Sequence, residues 1–335
     1  FSEHAGIDVS AEELTLRVAR TNGQSYDREF DNDPGGIDAL LDYLTGTGNR
    51  VRVCLESTGR YGLDLALALA ACEQIEVISP DPARARRYAQ SLDGRGKTDE
   101  LDAEALMRYA QERRHPVWQA PAEDVVELRD TTRRLQQIKR DLQRAENRLH
   151  ALEASNAYDP EVKASLERQI ERLETEQERM EDHRDELVAG SERLSEECDL
   201  LQTVTGIGPV HSTELVAELG VLDRDMNRSE ITALAGLDPV PIESGSSIRE
   251  PRHISKRGNA RIRSALFRAA LSALEYDPAA RRFFLHLTER KGKPGKVAVV
   301  ALARRMLTAV WSMLKNGNEW DPERFCPNIE PVETA

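Results

Sequence analysis

The stretch AGIDVSAEELTLRVARTNGQSYDREF (residues 5–30) sets the architecture of the first part of this chain. It contains three segments, AGIDVS, ELTLRVAR and SYDREF, in which apolar and polar residues alternate. Alternation with a period of two is typical of β-strands, and the Ser/Glu and Asn-Gly positions between the segments are turn signals. The stretch therefore predicts three successive strands joined by short turns.

The sequence after residue 34 alternates between helical and strand-like patterns. In chain order these are a helix over 35–46, a strand over 50–58, a helix over 61–72, a strand over 74–80 and a helix-rich stretch that ends near residue 114. Three strands followed by alternating helices and strands is the order expected of an RNase H-like domain, although other mixed α/β folds share it. We therefore predict an α/β domain over residues 1–115.

Residues 116–199 are predicted to form a linker and two heptad helices. The linker lies in RRHPVWQAPAED (113–124), which contains two prolines. The heptad positions are Leu128, Leu135, Leu142 and Leu149, then Ile138, Ala145 and Leu152, and after the break ASNAYDP (154–160) Leu166, Leu173, Met180 and Leu187. A seven-residue repeat predicts a coiled-coil helical hairpin or half of an intermolecular bundle. The sequence leaves open whether this element is a spacer or also carries oligomerisation.

The charge of the chain is unevenly distributed. The net charge is −13, yet residues 251–315 hold 15 Lys and Arg against three acids. Such a block indicates a face that binds a polyanion such as nucleic acid. A solvated helical surface is the alternative, but acids would normally be interspersed in it. We assign this block to a helical C-terminal domain over residues 200–335.

The cysteines and the hydropathy pattern predict a cytoplasmic protein. The four cysteines (Cys54, Cys72, Cys198 and Cys326) lie far apart and form no C-x-x-C pair. This spacing argues against a zinc ribbon or a disulfide framework and suits a reducing compartment. No apolar stretch approaches the roughly 20 residues needed to span a bilayer, and no signal-peptide pattern opens the sequence.

Four acidic residues of the first domain are candidate metal ligands. Asp8 interrupts a predicted strand and Glu56 stands at the end of another, where carboxylates are rare and costly to bury unpaired. Asp99 and Asp102 lie where a loop becomes a helix, so Asp99 could equally be an N-cap and Asp102 a first-turn acid favoured by the helix dipole. An RNase H-like topology would let the four converge. Oxygen ligands alone suit Mg²⁺ or Mn²⁺, and two such ions roughly 4 Å apart support in-line phosphoryl transfer.

Two glycine-containing motifs mark the C-terminal domain. Gly206 and Gly208 precede an amphipathic helix and resemble a helix-hairpin-helix turn, whose N–H groups can receive a phosphate, although a plain tight turn is the alternative. In ESGSSIREPRHISKRGNARIR (243–263) serines would ordinarily be turn formers, but basic residues surround Ser244 and could hold a phosphodiester. The candidate nucleic-acid-binding residues are Gly206, Gly208, Arg249, Arg252, Lys256, Arg257, Arg261 and Arg263.

Three motifs of the first domain resemble those of a transposase family. GIDVS (6–10), LESTGRYG (55–62) and GRGKTDELDAEAL (94–106) are similar to G-[IV]-D, E-[AS]-T-G and [KR]-T-D-x-x-D-A of the RuvC-like DEDD domain of insertion sequence 110 family transposases. The resemblance implies a metal-binding tetrad, which falls on Asp8, Glu56, Asp99 and Asp102. A Holliday-junction resolvase would share the metal logic of this half.

The C-terminal part resembles the transposase domain of the same family. GLDPVPIESGSSIREPRHISKRGNARIRSALFRAAL (236–271) contains G-L-x-P, S-G and [IM]-S-K-x-G in the family's order, and residues 289–317 fit its closing basic helical segment. The resemblance implies that Ser244, which precedes a glycine, is the nucleophile, and that Ser246 and Ser247 are not. One departure is REP (249–251), where family members often have an R-G turn.

The resemblance implies a site-specific DNA recombinase of an insertion sequence. Such an enzyme cuts and rejoins DNA through a phosphoserine at Ser244 with Mg²⁺ or Mn²⁺ assistance, guided by a noncoding bridge RNA that pairs with donor and target DNA. It also implies a dimer or tetramer with a composite active site, in a bacterial or archaeal cytoplasm near the nucleoid. Two other functions stay open: a RuvC-like metal-dependent nuclease or Holliday-junction resolvase without serine catalysis, and a non-catalytic nucleic-acid-binding coiled-coil protein.

Overall fold

The computed structural model describes residues 1–55, 62–80, 82–92, 99–155, 157–240, 243–244, 248–249 and 253–321, and at 82–83, 99–101, 240, 243–244 and 248–249 it describes the backbone. The chain divides into two compact units, Phe1–Ala120 and Pro121–Ala335. The predicted division into domains 1–115, 116–199 and 200–335 stays a prediction.

The first unit is built on a five-stranded mixed sheet. Its strands are β1 (Glu3–Val9), β2 (Glu13–Ala19), β3 (Ser25–Asp31), β4 (Val51–Leu55) and β5 (Ile75–Ile78), in the order β3-β2-β1-β4-β5. The first three strands pair antiparallel, while β1, β4 and β5 run parallel. The predicted run of three strands and the mixed α/β class are confirmed.

Four helices accompany this sheet. They are α1 (Pro34–Thr45), α2 (Leu63–Ala70), α3 (Pro82–Ser91) and α4 (Asp99–Glu112). Asp33 caps α1 by accepting from the backbone N–H of Gly36, and proline opens the helix, as expected for a helix start. Apolar side chains of α1 and α2 pack with those of β1, β2 and β4 into one core. The first unit is therefore a sheet whose central strand, β1, is covered by helices.

The contact between β1 and α4 depends on a missing side chain. A Cβ atom added to Gly6 would lie 2.1 Å from the carbonyl oxygen of Ala103 and 2.2 Å from the amide nitrogen of Met107. Both are backbone atoms of α4, so neither can rotate away. Glycine at position 6 therefore lets the backbone of α4 rest directly on the central strand.

The second unit is helical. Its helices are α5 (Glu123–Glu153), α6 (Pro160–Gly190), α7 (Glu192–Gln202), α8 (Pro209–Leu219), α9 (Arg228–Leu234), α10 (Ala260–Tyr276), α11 (Pro278–Leu285), a π-helical turn (His286–Arg290) and α12 (Gly295–Asn316). Four two-residue strands, β6 (Pro239–Val240), β7 (Glu243–Ser244), β8 (Ile248–Arg249) and β9 (His253–Ile254), lie between α9 and α10. The core contains apolar residues of α8, α10 and α12.

The helices α5 and α6 form an antiparallel hairpin. Lys163 pairs with Glu153 at 2.7 Å beside the turn, and Lys139 pairs with Glu181 at 2.8 Å farther along both helices. The predicted heptad leucine Leu128 is fully buried, whereas the predicted positions on α6 are half-buried. The two predicted helices and the break between them are confirmed, and a coiled-coil geometry stays a prediction.

Helix α12 corrects the expectation that no apolar stretch is long enough to cross a membrane. Within the described ranges it is the one helix, Gly295–Asn316, that passes such a test by length and composition. Half of its most apolar window is buried inside the protein, and Leu302, Met306 and Leu307 belong to the core of the second unit. Its apolarity is explained by packing against other helices of this unit. The described cysteines, Cys54, Cys72 and Cys198, are free thiols, as predicted.

We expect Gly6→Ala to destabilise the first unit, because the new methyl group would push α4 off β1. Overpacking of this kind costs about 1–3 kcal/mol, and here the opposing atoms are backbone. Urea unfolding measures the change, and Gly35→Ala is the matched control, since the nearest atom to its added Cβ is an aspartate oxygen at 3.5 Å. Equal stability of the Gly6→Ala protein and the wild type would contradict the contact.

Candidate active site and nucleic-acid interface

Asp8 lies on the central strand on the side that faces α4. It is two residues beyond Gly6, and side chains two apart share a face of a strand. Its neighbour across the antiparallel pair is Thr15 of β2, which is 8% exposed. The Asp8 side chain itself is half-buried. The first predicted ligand is therefore at the border between the core and the surface.

Asp102 lies in the first turn of α4, immediately before Ala103, whose carbonyl oxygen meets Gly6. It is also half-buried. Asp99 is the first residue of α4, a position where the helix dipole favours a carboxylate. The elements that carry Asp8 and Asp102 are thus packed directly on each other.

Glu56 lies outside the described residues, immediately after β4. The last residue of β4, Leu55, pairs with Ile7 in the parallel ladder. Ile7 is followed by Asp8, and Leu55 is followed by Glu56. Both acids therefore come directly after paired positions in adjacent parallel strands.

The metal site formed by Asp8, Glu56, Asp99 and Asp102 stays a prediction. Among the described side chains, no group of three or more His, Cys, Asp and Glu residues could hold a metal ion. Glu56 and the side chain of Asp99 are not part of that description. The two described candidates, Asp8 and Asp102, supply carboxylate oxygens, which are the donors that Mg²⁺ and Mn²⁺ prefer.

Ser244 is the last strand residue before the tip of a short hairpin. Strands β7 and β8 pair antiparallel, with Glu243 opposite Arg249 and Ser244 opposite Ile248. Residues 245–247, which include the alternative serines Ser246 and Ser247, lie outside the described residues. We call residues 243–249 the serine hairpin. Antiparallel pairing fixes the backbone of Ser244 on the side that precedes the tip.

A clamp of hydrogen bonds holds the chain at the base of the serine hairpin. Strands β6 and β9 pair there, and the Ser255 hydroxyl donates to the Asp238 carboxylate. The amide nitrogens of Ser255, Lys256 and Asn259 donate to the carbonyl oxygens of Asp238, Gly236 and Leu234, at 2.9, 3.1 and 2.7 Å. The clamp was not predicted from the sequence, because the S-K-x-G motif indicates charge and gives no sign of the segment on which it packs.

Gly258 permits a close approach of two backbone segments inside the clamp. Its φ is 133°, and an added Cβ would lie 2.1 Å from the carbonyl oxygen of Leu234. Only glycine combines that backbone conformation with that space. The residues 255–258 are therefore a structural loop that docks on the end of α9.

The predicted basic residues divide into several groups. Lys256 and Arg257 are exposed beside the clamp. Arg263 instead donates from NH1 to the carbonyl oxygen of Ala235 at 2.8 Å, which gives it a structural role at the end of α9. Arg252 and the side chain of Arg249 lie outside the described residues. The exposed pair would be accessible to a phosphate, whereas one nitrogen of Arg263 is already engaged.

Arg261 belongs to a charged cluster around the buried Glu218. The Glu218 side chain is 2% exposed and accepts two hydrogen bonds from Arg133, at 2.7 and 2.9 Å, and one from the amide of Asn259 at 2.7 Å. Arg129 and Arg261 approach the same carboxylate at 3.8 and 3.9 Å. This cluster joins α5, α8 and the start of α10.

The carboxyl group of Glu218 remains ionised in this cluster. Burial raises its pKa, but the hydrogen bonds and charge of Arg133, the bond from Asn259 and the charge of Arg129 together hold the pKa below its usual value. No pattern in the sequence pointed to this residue, because Glu218 reads as an ordinary helix glutamate. The Arg-rich segments of α5 and α10 were the available signal.

The predicted phosphate-binding turn begins α8 as expected. Gly208 is the N-cap and Pro209 opens the helix. Gly206 has φ 97°, and a Cβ there would lie 2.4 Å from the carbonyl oxygen of Ala269 on α10. Gly206 therefore has a packing role, while Gly208 is exposed and has open space around it.

His211 and Arg268 stand near this turn. Nε2 of His211 accepts from Nε of Arg268 at 3.1 Å, and Arg268 also pairs with Glu214 at 2.8 Å. Burial, and then the charge of Arg268, lower the pKa of His211. A neutral histidine that receives a hydrogen bond suits a structural role.

A cavity of about 560 Å³ lies elsewhere in the second unit, between α9 and α12. Its charged lining residues are Arg228, Arg304, Arg305, Glu319 and Asp321. None of the predicted site residues lines it. The cavity is therefore of mixed charge and does not form part of the serine hairpin.

Two family models match this chain, one after the other. A transposase model, DEDD_Tnp_IS110, matches residues 5–152, and a second, described as "Transposase IS116/IS110/IS902 family", matches residues 198–285. The first match covers nearly all of the first unit and most of α5, and the second covers part of the second unit. The DEDD match suggests an RNase H-like fold, which agrees with the sheet order, and it suggests dependence on a divalent metal.

Curated relatives include proteins of insertion elements, and one relative matches nearly the whole chain. The chain is 27% identical to the pilin gene-inverting protein of Moraxella lacunata, over 95% of this chain and 97% of that protein. It is 28% identical to the 42 kDa protein of insertion element IS900 of Mycobacterium paratuberculosis, over 53% and 43% of the two chains. It is 27% identical to the 43.6 kDa protein of insertion element IS110 of Streptomyces coelicolor, over 36% and 30%.

The two matched segments span more than half of the chain and follow the order of the predicted motifs. A DNA-recombining enzyme accounts for both of them and for the gene-inverting relative. This chain therefore belongs to the IS110 family of transposases.

Proposed function

We propose that this transposase cuts and rejoins DNA through a covalent phosphoserine on Ser244, with a divalent metal held by Asp8, Glu56, Asp99 and Asp102. The proposal is carried by the local structure around its two sets of reacting groups, the serine and the acids. One is a serine that is the last strand residue before the tip of a clamped hairpin. The other is a pair of half-buried aspartates on β1 and α4, two elements that pack directly on each other.

The pairing of Ile7 with Leu55 supports a four-carboxylate cluster. The next residue after each is an acid, Asp8 or Glu56, and adjacent parallel strands leave the sheet at one edge. Close-set carboxylates repel one another unless a cation compensates them. A bound divalent ion would supply that compensation, and it would favour the deprotonated nucleophile and the charged leaving oxygen.

In the proposed reaction the DNA phosphodiester is exchanged for a phosphodiester to Ser244 and is not hydrolysed. The Oγ atom of Ser244 attacks a DNA phosphorus, the new Oγ–P bond forms, and the bond from phosphorus to the deoxyribose oxygen breaks. The hydroxyl proton passes to a base, and the leaving oxygen takes up a proton, so no water is consumed. The reverse attack by a second deoxyribose hydroxyl releases Ser244 and rejoins DNA.

The clamp at the base of the hairpin suits a nucleophile that must be held in position. Its bonds between 234–238 and 255–259 fix both ends of the segment that contains Ser244. Positioning of reacting groups lowers barriers by several kcal/mol, on the order of 7–11 in favourable intramolecular cases. The exposed Lys256 and Arg257 are suited to hold the backbone of the DNA beside it.

The partners follow from the same proposal. The heptad positions of α6 are only half-buried in the hairpin, which leaves apolar surface for a second copy. We propose a dimer or tetramer in which acids and serine form a composite site, guided by a noncoding bridge RNA in the cytoplasm of a bacterium or archaeon. Contacts from the basic C-terminal segment to nucleic-acid backbones would make binding strongly salt-dependent.

We expect Ser244→Ala to abolish strand joining and the covalent protein–DNA adduct, because no other oxygen then replaces Oγ. Denaturing gels with end-labelled DNA detect the adduct. Ser246→Ala is the matched control in the same loop and should keep both activities. An adduct that survives in Ser244→Ala would sink the serine mechanism and leave a metal-dependent nuclease as the better explanation.

Asp99→Asn combined with Asp102→Asn should reduce Mg²⁺-dependent cleavage by roughly 10²-fold or more, since the electrostatic stabilisation of the transition state is lost. The protein should still fold and bind nucleic acid. Asp64→Asn, in the first turn of α2, is the control for a first-turn aspartate outside the tetrad. Cleavage at the wild-type rate by the double variant would remove the metal site from the proposal.

Reconstitution without RNA tests guidance. We expect donor and target DNA to be joined only when the element's own noncoding RNA is present, because the chain has no sequence-reading element among its predicted motifs. The measurement is product formation with that RNA, with an unrelated RNA of equal length, and with none. Full, site-specific joining without RNA would contradict the guidance part alone.

A further inference from the structure

The cluster around Glu218 contains more positive charge than its carboxylate can satisfy. Three arginines, Arg129, Arg133 and Arg261, surround this one buried acid within 3.9 Å. Arg133 occupies both carboxylate oxygens through a bidentate pair, and Asn259 takes a further position on one of them. The other two guanidinium groups are therefore held close to a carboxylate that has little left to accept.

Arg129 and Arg261 each have one guanidinium nitrogen without a hydrogen-bond acceptor among the described residues. Over the described residues, the Nε atom of each is buried and has no hydrogen-bond acceptor. Their distances to Glu218, 3.8 and 3.9 Å, are too long for hydrogen bonds. Buried donors without acceptors are costly, and native proteins rarely keep two of them together without a ligand or water.

The electrostatics point the same way. Burial, and then the charge of Arg133, lower the pKa of Arg129 and of Arg261. Arg140 adds to the repulsion at Arg261, while Asp130 partly compensates Arg129. Glu218 is the other acid that faces them. An additional anion at this place would relieve the repulsion among the arginines.

Part of each of the two arginine side chains is exposed to solvent, although both Nε atoms are buried. The side chain of Arg129 is 19% exposed and that of Arg261 is 34% exposed, whereas Glu218 is 2% exposed. Arg261 is two residues after Asn259, which ends the clamp at the base of the serine hairpin. An anion held by these arginines would therefore bind beside the root of the segment that contains Ser244.

We propose that Arg129 and Arg261 together bind one backbone phosphate of the DNA on which the enzyme acts. Guanidinium groups match phosphate oxygens in charge and geometry, and two of them can share one phosphate. Arg133 is the structural member of the cluster, because it satisfies Glu218. The proposal rests on the proposed DNA recombination for the source of the phosphate, and on the cluster alone for the anion site.

The salt dependence of DNA binding by the full-length protein tests the assignment. Loss of one phosphate contact reduces the magnitude of the slope of log K against log salt concentration by about 0.9. Because both arginines hold the same phosphate, Arg129→Gln plus Arg261→Gln should lower the slope by about 0.9 and not by about twice that. Arg144→Gln, a 67% exposed arginine on the same helix as Arg129, is the matched control and should bind DNA with less change.

Inorganic sulfate tests the anion site without nucleic acid. At constant ionic strength set by sodium chloride, sulfate should raise the melting temperature of the wild type and of Arg144→Gln, since a ligand that binds only the folded state stabilises it. It should not raise that of the double variant. In sulfate-free buffer the double variant gives its own baseline melting temperature, since it loses both the repulsion among the arginines and their attraction to Glu218.

Each of the other outcomes contradicts one part of the proposal: the anion site, the assignment to DNA or the proposed function. Equal sulfate stabilisation of wild type and double variant would overturn the anion site. Sulfate stabilisation lost with an unchanged DNA slope would overturn the DNA assignment, as would a slope change seen with RNA of equal length and not with DNA. Absence of any DNA binding by the wild type would count against the proposed function, while the sulfate experiment would still report on the cluster.

Discussion

The second unit depends on the hydrogen bonds made by the carboxylate of Glu218, whose side chain is 2% exposed. Glu218 lies on α8, and its partners Arg133 and Asn259 lie on α5 and at the start of α10. A charge this deep is tolerated only when it is paired and hydrogen-bonded, so the three elements must keep their relative positions. A second link repeats the pattern, because Glu214, one turn earlier on α8, accepts from Gln136 of α5 and Arg268 of α10. The base of the long hairpin and the root of the serine hairpin are thus parts of one body.

Three glycines also constrain the fold, because each allows two backbone segments to come into direct contact. Gly6 admits α4 onto β1, Gly206 admits α10 onto the turn before α8, and Gly258 admits the end of α9 onto the clamp. In each case the opposing atoms are backbone, so a methyl group has nowhere to go. Each of these glycines lies within a short motif that also contains a candidate chemical residue or a candidate phosphate contact. Each motif therefore reflects a packing requirement as well as candidate chemistry. Its glycine determines how closely the backbone that carries the candidate side chain approaches the neighbouring element.

In the proposed reaction the two units would have separate roles. The first unit presents carboxylates on a rigid strand and helix, where the metal-binding geometry would need to be exact. The second unit presents a serine on a small hairpin, with the fixed part of the structure at its base. Rigid elements suit metal ligands, and a tethered loop suits a nucleophile that must meet a phosphate and then release it.

Local pattern was sufficient for much of this molecule. Alternation and turn residues determined the three opening strands, and the heptads determined both long helices, because each of these signals acts within a few residues of itself. Only the tertiary structure decided that Arg263 serves the end of α9, that the apolar α12 is a core helix, and that Glu218 holds three arginines together. Those outcomes depend on which distant segments meet, and a side chain that reads as exposed, apolar or ordinary along the sequence takes its role from the neighbours that packing brings to it.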